Sequence, residues 1–224
     1  MPQRSTPLSD KTSTQAYYDR LSRVYDLLAG AAEKKCKRVG LELLNAQPGE
    51  TILEIGCGTG QCLPDLAQSV RGQGQVTGID LSQGMLQVTQ NRLRNASLPG
   101  RIDLCQGNAL QLPFASSSVA AVYMSFTLEL FPSPQIQVLL KECKRVLRPA
   151  GRIGIVSMAK KDRTGPIVRL YEWAHHKWPV YIDCRPIAVH GELDQAGIKI
   201  ARCVEMSIFG LPVDIVLSIK DSGF

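Results

Sequence analysis

Three observations predict a doubly wound α/β fold built on a mostly parallel sheet. Short apolar runs alternate along the chain with stretches of helical periodicity. The first run, Ile52-Leu53-Glu54-Ile55, leads into glycines at alternate positions, Gly56, Gly58 and Gly60, and then into a helical stripe. The next run ends in a carboxylate, Asp80, about twenty residues beyond that turn, where nucleotide-wrapping α/β folds place an acid that accepts from ribose hydroxyls.

In chain order, residues 1–14 read as a flexible leader and residues 15–224 as one domain, the default at a length of 224 residues. Apolar and aromatic residues at 17, 18, 21, 24, 25 and 28 follow helical spacing. A second helix is expected from about Gly30 to Asn45, with Glu33, Lys34, Lys35, Lys37 and Arg38 on a solvated face; Pro48-Gly49 ends it. After the glycine turn, Leu63, Leu66, Ala67 and Val70 mark a helix. Gln75–Asp80 reads as the second strand and Leu81–Arg94 as the helix behind it. Ile102–Gln106 is the third strand. Val119–Met124, apolar throughout, suits a strand buried on both faces. A helix follows from Pro134 to Leu147, then a linker, Arg145 to Arg152, and a fifth strand, Ile153–Met158. Pro166–Trp178 carries a helical stripe, and Ile187–Ala196 reads as a short helix stopped by Gly197. Ile198–Met206 and Val213–Ile219 are the last two strands, separated by Gly210 and Pro212. They bring the sheet to seven strands and close it with an antiparallel pair.

Composition narrows the function. The net charge is +6, but the basic residues are dispersed, and no block of basic and aromatic residues forms a platform for single-stranded nucleic acid. No nucleic-acid partner is expected. The seven cysteines are scattered and include no C-x-x-C pair, so no metal site or redox couple is indicated; reduced thiols and a cytoplasmic location are the simple reading. The first fifteen residues lack an apolar signal core, and no apolar run has the length to span a bilayer.

The glycine spacing separates possible ligands. A dinucleotide turn, G-x-G-x-x-G, needs its third glycine at position 61, which is Gln61. A phosphate-binding P-loop needs Gly-Lys-Ser/Thr, and Gly60 is followed by Gln61-Cys62. With both cradles unsatisfied, Glu54-Ile55-Gly56-Cys57-Gly58-Thr59-Gly60 resembles the first motif of the class I S-adenosylmethionine-dependent methyltransferases, whose fold is Rossmann-like. Asp80, Gly107-Asn108-Ala109 and Arg148-Pro149-Ala150-Gly151 fall in that family's order. Ala150 replaces a more usual glycine, and Asn108 stands where Asp is common.

The resemblance implies S-adenosylmethionine as cofactor. Glu54, Gly56, Cys57, Gly58 and Gly60 would surround its methionyl part and Asp80 its ribose. Leu81, Met85, Asn108 and Ala109 would lie about its adenine, with Ser125 at the methyl end. A strand-end Asp that only caps the next helix, and an Asn that only closes a turn, are the structural alternatives for Asp80 and Asn108.

The acceptor is less defined. The Tyr-Asp-Arg-Leu-Ser-Arg-Val-Tyr-Asp stretch, residues 18–26, resembles the N-terminal segment of the ubiquinone and menaquinone biosynthesis group. That resemblance implies a quinone-type ring as acceptor, with Tyr18, Tyr25 and Phe126 beside it. A phospholipid or small-amine N-methyltransferase, and a non-catalytic protein that binds the same cofactor, remain alternatives. Glu129 reads as an exposed acid at a helix end or as a positioned base. His190 is a candidate base, and a structural histidine is the alternative. The stripe within Thr164–Tyr181, with Trp173 and Trp178, reads as a core-packed helix or as a lid for a lipid-tailed acceptor with peripheral membrane contact. The oligomeric state has no signature in the sequence.

Overall fold

The computed structural model describes residues 30–94, 96, 98–160 and 186–220. The expected leader 1–14, the segment bearing Tyr18 and Tyr25, and the Thr164–Tyr181 stripe with His175 and His176 lie outside the described residues.

A helix over residues 30–44 (α1) precedes β1 (Thr51–Ile55), α2 (Leu63–Val70), β2 (Gln75–Asp80), α3 (Gln83–Leu93) and β3 (Arg101–Gln106). Next come β4 (Val119–Ser125), α4 (Ser133–Val146), β5 (Leu147–Met158), α5 (Val189–Gln195), β6 (Ile200–Ile208) and β7 (Leu211–Ile219). The strands form one seven-stranded sheet in the order β3-β2-β1-β4-β5-β7-β6. β1 to β5 run parallel, and β7 is antiparallel to both β5 and β6. The direction of winding reverses between β1 and β4, which are hydrogen-bonded neighbours. At such a switch point the loops leaving adjacent strands part and open a crevice.

The continuous apolar runs follow from burial on both faces, since successive strand residues point to opposite sides. Ile52, Val76, Ala121, Tyr123 and Val156 pack with Leu44 of α1, Leu63 and Leu66 of α2 and Leu86 of α3. Leu53, Ile79, Val122, Met124 and Ile155 pack with Leu139 and Leu140 of α4 and Val189 and Leu193 of α5.

The structure departs from the sequence reading at β5, at Pro212 and at Lys37, among other places. β5 begins at Leu147 and absorbs the expected linker from there to Arg152, while Arg145 and Val146 end α4. Pro212 is the second residue of β7 rather than a separator; it has no N–H to donate, and its carbonyl accepts from Ala159 N–H at 2.8 Å. Lys37, expected on a solvated face, is largely covered and bonds Gln61 Oε1 at 3.2 Å, because its long stem carries the ammonium toward the glycine turn.

One buried carboxylate joins α1, β1 and β5. Glu50, just ahead of β1, accepts from Gln47 N–H (2.8 Å) and from Arg152 Nη1 (2.9 Å) and Nη2 (2.6 Å). Arg152 also donates to Leu44 O and Asn45 O, the carbonyls at the end of α1. Burial pushes the Glu50 carboxyl up, but the Arg152 hydrogen bonds, the Gln47 N–H and the charges of Arg152 and Arg148 outweigh it and hold the group below the usual carboxylate range. A depressed folded-state value gives stability that is present above the unfolded value and lost as pH falls through the folded one. Glu50→Gln should therefore lower stability near neutral pH by on the order of 2–3 kcal/mol, and the two proteins should converge below about pH 4. Thermal melts of both across that range are the measurement.

Candidate functional site

The glycine turn leaves β1 and curls back over the end of β2. Gly56 and Cys57 N–H both donate to Ile79 O (2.8 and 3.2 Å), and Gly60 N–H closes the turn on Cys57 O at 2.8 Å. Gly56, Gly58 and Gly60 have φ of +66°, +53° and +70°, in the left-handed region that side chains disfavour. Space separates their roles. A Cβ on Gly56 would fall within the Thr127 side chain and one on Gly60 within Thr89, whereas a Cβ on Gly58 would meet no atom within 4 Å. Gly56 and Gly60 allow the turn to pack, and Gly58 leaves an open face.

Asp80 holds that face in place. Its Oδ2 accepts from Gly58 N–H at 2.8 Å and its Oδ1 from Ser82 N–H at 2.9 Å. Thr89 Oγ1, on α3, donates to Gly58 O at 2.7 Å. The side chains beyond Asp80 are Leu81 and Met85, 73% and 45% exposed, although both are apolar. An apolar pair left open beside a polar turn offers a surface for a flat ring. Asn108, at the end of the neighbouring strand, accepts from Leu110 N–H at 2.9 Å through Oδ1, so it closes a turn and keeps its amide N–H groups to offer. Ala109 is half-buried beside it.

Glu54, on β1 two residues ahead of Gly56, is 2% exposed. Its Oε2 has no hydrogen-bond partner among the described residues. Burial pushes this carboxyl up to about 8; Lys37 and the Cys62 thiol draw it down, and Asp80 pushes it further up. Burial likewise raises the Cys57 thiol to about 12, so this cysteine is a small apolar filler rather than a nucleophile.

The loop after β4 forms the other wall. Ser125 Oγ lies 3.9 Å from Cys62 Sγ. Phe126 has φ of +52°, a strained conformation for a bulky residue. It is held by a 2.7 Å bond from its N–H to Val156 O, and Lys37 Nζ lies 5.6 Å from its ring centre, within cation–π range. Glu129 corrects the expectation of an exposed acid. It is 2% exposed and accepts from Ser157 Oγ (2.9 Å) and Met158 N–H (3.0 Å), pinning the loop to β5. Burial pushes its carboxyl up to about 7 against these hydrogen bonds. A cavity of about 610 Å³ opens between α1 and the start of α2, lined by Lys34, Lys37, Arg38, Gln61, Cys62 and Arg92.

The sequence-selected residues around Gly58, Asp80, Leu81, Met85, Asn108 and Ala109 thus share one end of the sheet with Ser125 and Phe126. His190 is placed elsewhere. It lies on α5 against β6 and β7, 3.6 Å from both Cys203 Sγ and Asp214 Oδ2. Sequence reasoning missed Thr89, Thr127, Lys37 and the burial of Glu129. Only Glu129 left a trace, as a lone acid between the apolar residues Leu128 and Leu130.

A family model described as a methyltransferase domain matches residues 52–151. The chain is 32% identical over 155 residues to a demethylmenaquinone methyltransferase of Desulfitobacterium hafniense, covering 67% of this chain and 60% of that one. It is 30% identical over 173 residues to a 2-phytyl-1,4-naphtoquinone methyltransferase of Synechococcus elongatus, covering 75% and 72%. A SAM-dependent methyltransferase of Aquifex aeolicus shares the fold, with a TM-score of 0.62 at 24% identity over 82% of this chain and 89% of that one. The chain belongs to the class I S-adenosylmethionine-dependent methyltransferases. It spans about 60% of the length of the Desulfitobacterium relative.

The two kinds of glycine can be told apart. Gly58→Ala should fold with a loss of about 1–2 kcal/mol from its positive φ and yet lose S-adenosylhomocysteine affinity by more than about tenfold (about 1.4 kcal/mol). Gly60→Ala should lower the melting temperature more, through overlap with Thr89. Adding Thr89→Ser, which removes the methyl and keeps the hydroxyl, should recover part of that loss. Calorimetric titration and thermal melts of the three variants are the measurements.

Proposed function

We propose that this chain is an S-adenosylmethionine-dependent methyltransferase that methylates a ring carbon of a quinone-type acceptor. The observation that carries the reading is the open positive-φ face at Gly58, whose N–H is held by the Asp80 carboxylate, together with a buried Glu54 oxygen that has no hydrogen-bond partner among the described residues. This chemistry fits the cofactor: an acceptor for ribose hydroxyls, an acceptor for an ammonium, a turn left open at Gly58, and exposed apolar side chains for a base. Gly56, Cys57, Gly58, Gly60 and Glu54 would hold the methionyl part and Asp80 the ribose. Leu81, Met85, Asn108 and Ala109 would hold the adenine, with Ser125 toward the methyl. When bound, the cofactor supplies a methyl group already activated on a sulfonium.

The protein's task is then positioning, which lowers barriers substantially when reacting atoms are held aligned. Asp80 and Thr89 fix the turn from both sides of Gly58. Phe126, held in one backbone state, presents its ring beside the turn and limits water there. A quinone-type acceptor is supported by the names of the relatives given above. The Tyr18 and Tyr25 segment resembles that group, and we assign it to the acceptor side. Among the described residues no helix is long and apolar enough to cross a membrane; we propose that any contact with a membrane-borne acceptor is peripheral.

Incubation with methyl-labelled donor and a panel of demethylated quinols, phosphatidylethanolamine and small amines tests the reading. Label on the quinol ring carbon is expected. Label on nitrogen would replace the quinone reading with an N-methyltransferase. Tight S-adenosylhomocysteine binding without any transfer would mean a binding protein. Glu54 gives a second test. With its carboxyl at about 8, the free protein is mostly protonated there at neutral pH, and a bound ammonium favours the carboxylate. S-Adenosylhomocysteine affinity should therefore rise by roughly tenfold between about pH 6 and 7. Glu54→Gln should flatten the dependence, read by calorimetry at each pH.

A further inference from the structure

At the far edge of the sheet, three side chains from three elements converge: His190 of α5, Cys203 of β6 and Asp214 of β7. Their donor atoms all lie within 4.8 Å of one another. His190 Nε2 is 3.6 Å from Cys203 Sγ and 3.6 Å from Asp214 Oδ2. The same ring nitrogen faces both partners. A nucleophile relay needs the two ring nitrogens divided, one toward the thiol and one toward the carboxylate. Convergence on one nitrogen excludes a relay and matches donors grouped around a common point. For zinc with bonds of about 2.3 Å to sulfur and 2.0–2.2 Å to nitrogen and oxygen, a tetrahedral angle sets donor separations of about 3.3–3.6 Å. The two separations from His190, 3.6 Å each, fall at the upper end of that range, and the Cys203–Asp214 pair lies within 4.8 Å.

The surroundings suit a cation. Glu205 is directly opposite Asp214 in the β6–β7 ladder, so a second carboxylate stands on the same face of the pair. Asp214 is buried, whereas His190 and Cys203 are exposed, so the site is anchored from within and open to solvent for entry. The donors are one imidazole, one thiol and one carboxylate, a set that suits zinc and its neighbours rather than magnesium or calcium. Spacings of 13 and 11 residues, with one donor on a helix and two on strands, hide the set from any sequence motif.

We propose that His190, Cys203 and Asp214 form a three-ligand site for a first-row divalent transition cation, best suited to Zn²⁺, with its remaining position taken by water. On binding, Cys203 gives up its thiol proton to solvent and coordinates as thiolate, while His190 coordinates as the neutral imidazole through Nε2. The ion ties α5 to the two edge strands, and metal binding therefore stabilises this corner of the fold.

The test is titration of the full, reduced chain with Co²⁺, followed by absorption in the near-ultraviolet, where a thiolate–cobalt band appears, and in the visible, where the ligand field reports geometry. One equivalent with a thiolate band and a tetrahedral visible pattern is expected, displaced by Zn²⁺. Cys203→Ser should abolish the band. His190→Gln and Asp214→Asn should each weaken Co²⁺ binding by about a hundredfold, since even outer partners of metal ligands cost roughly 10–100-fold. Cys105→Ser, at a half-buried cysteine on β3, should leave the titration unchanged. Far-ultraviolet circular dichroism confirms that each variant is folded. A thiolate band that survives Cys203→Ser, or a folded wild-type chain that takes up no Co²⁺ at micromolar concentration, overturns the proposal.

Discussion

The carboxylate of Asp80 is the constraint on which the rest of the site depends. It ends β2 and uses both oxygens on backbone, one on Gly58 N–H and one on Ser82 N–H. The first bond fixes the curl of the turn leaving β1. The second fixes the start of α3, whose Ser82 side chain in turn accepts from Met85 N–H. Thr89, one residue turn further along the same helix face, then reaches back to Gly58 O. Gly58 is gripped through its N–H and its carbonyl at once, and only its Cα face is open. A carboxylate has about four lone-pair sites, so Asp80 can accept from a ligand without releasing the turn. The choice between a capping Asp and a ligand-binding Asp is therefore not exclusive: the same group does the first and remains available for the second.

The frame was legible in the sequence because burial on both faces leaves an unmistakable record. Val119–Met124 has no polar residue because neither face of β4 meets water, and the glycines stand out because left-handed backbone is hard to reach otherwise. Boundaries drifted where local chemistry allowed two readings. A proline between two apolar runs suggests a separator, but Pro212 is the second residue of β7, where a strand tolerates the missing N–H. Burial of single polar side chains was not legible. Lys37 shares a charged run with Lys34, Lys35 and Arg38, and only the approach of Gln61 and Phe126, which are 24 and 89 residues away in the chain, turns it inward. The burial of Glu129 has no local signature because its partners, Ser157 Oγ and Met158 N–H, come from a strand 28 and 29 residues further along the chain.

Three buried glutamates show how environment assigns roles to one side chain. Glu50 meets two arginines and a backbone N–H, stays ionised and ties the end of α1 to β5. Glu129 finds a hydroxyl and an N–H without a cation, and burial raises it toward neutrality while it pins the β4 loop. Glu54 has less: one oxygen without a partner among the described residues, and only the charge of Lys37 and the Cys62 thiol to draw its carboxyl down against burial. A buried oxygen left unsatisfied costs free energy, and that cost is removed when a ligand donor arrives. The least satisfied of the three is also the one on β1, two residues ahead of the glycine turn, where a ligand held by that turn can meet such a deficit.

The strain at Phe126 belongs to the same pattern. A left-handed aromatic residue is unfavourable by about 1–3 kcal/mol, and it persists because both neighbours are fixed. Thr127 Oγ1 has one proton to share between Ser125 O (3.1 Å) and Gly56 O (3.4 Å), joining the β4 loop to the glycine turn, while Phe126 N–H is held by Val156 O. The methyl of Thr127 occupies the space that a Cβ at Gly56 would need. The glycine at 56 and the threonine at 127 are thus two halves of one contact, and that contact sets how far apart the two walls of the crevice stand. Behind the loop, Glu129 bonds to Ser157, whose partner across the β5–β7 ladder is Asp214. Residues of β1, β4, β5 and β7 are thereby locked in a continuous series from the glycine turn to the edge of the sheet. Rigid strands carry the site, and the loops between them need only short, specific bonds to hold their positions.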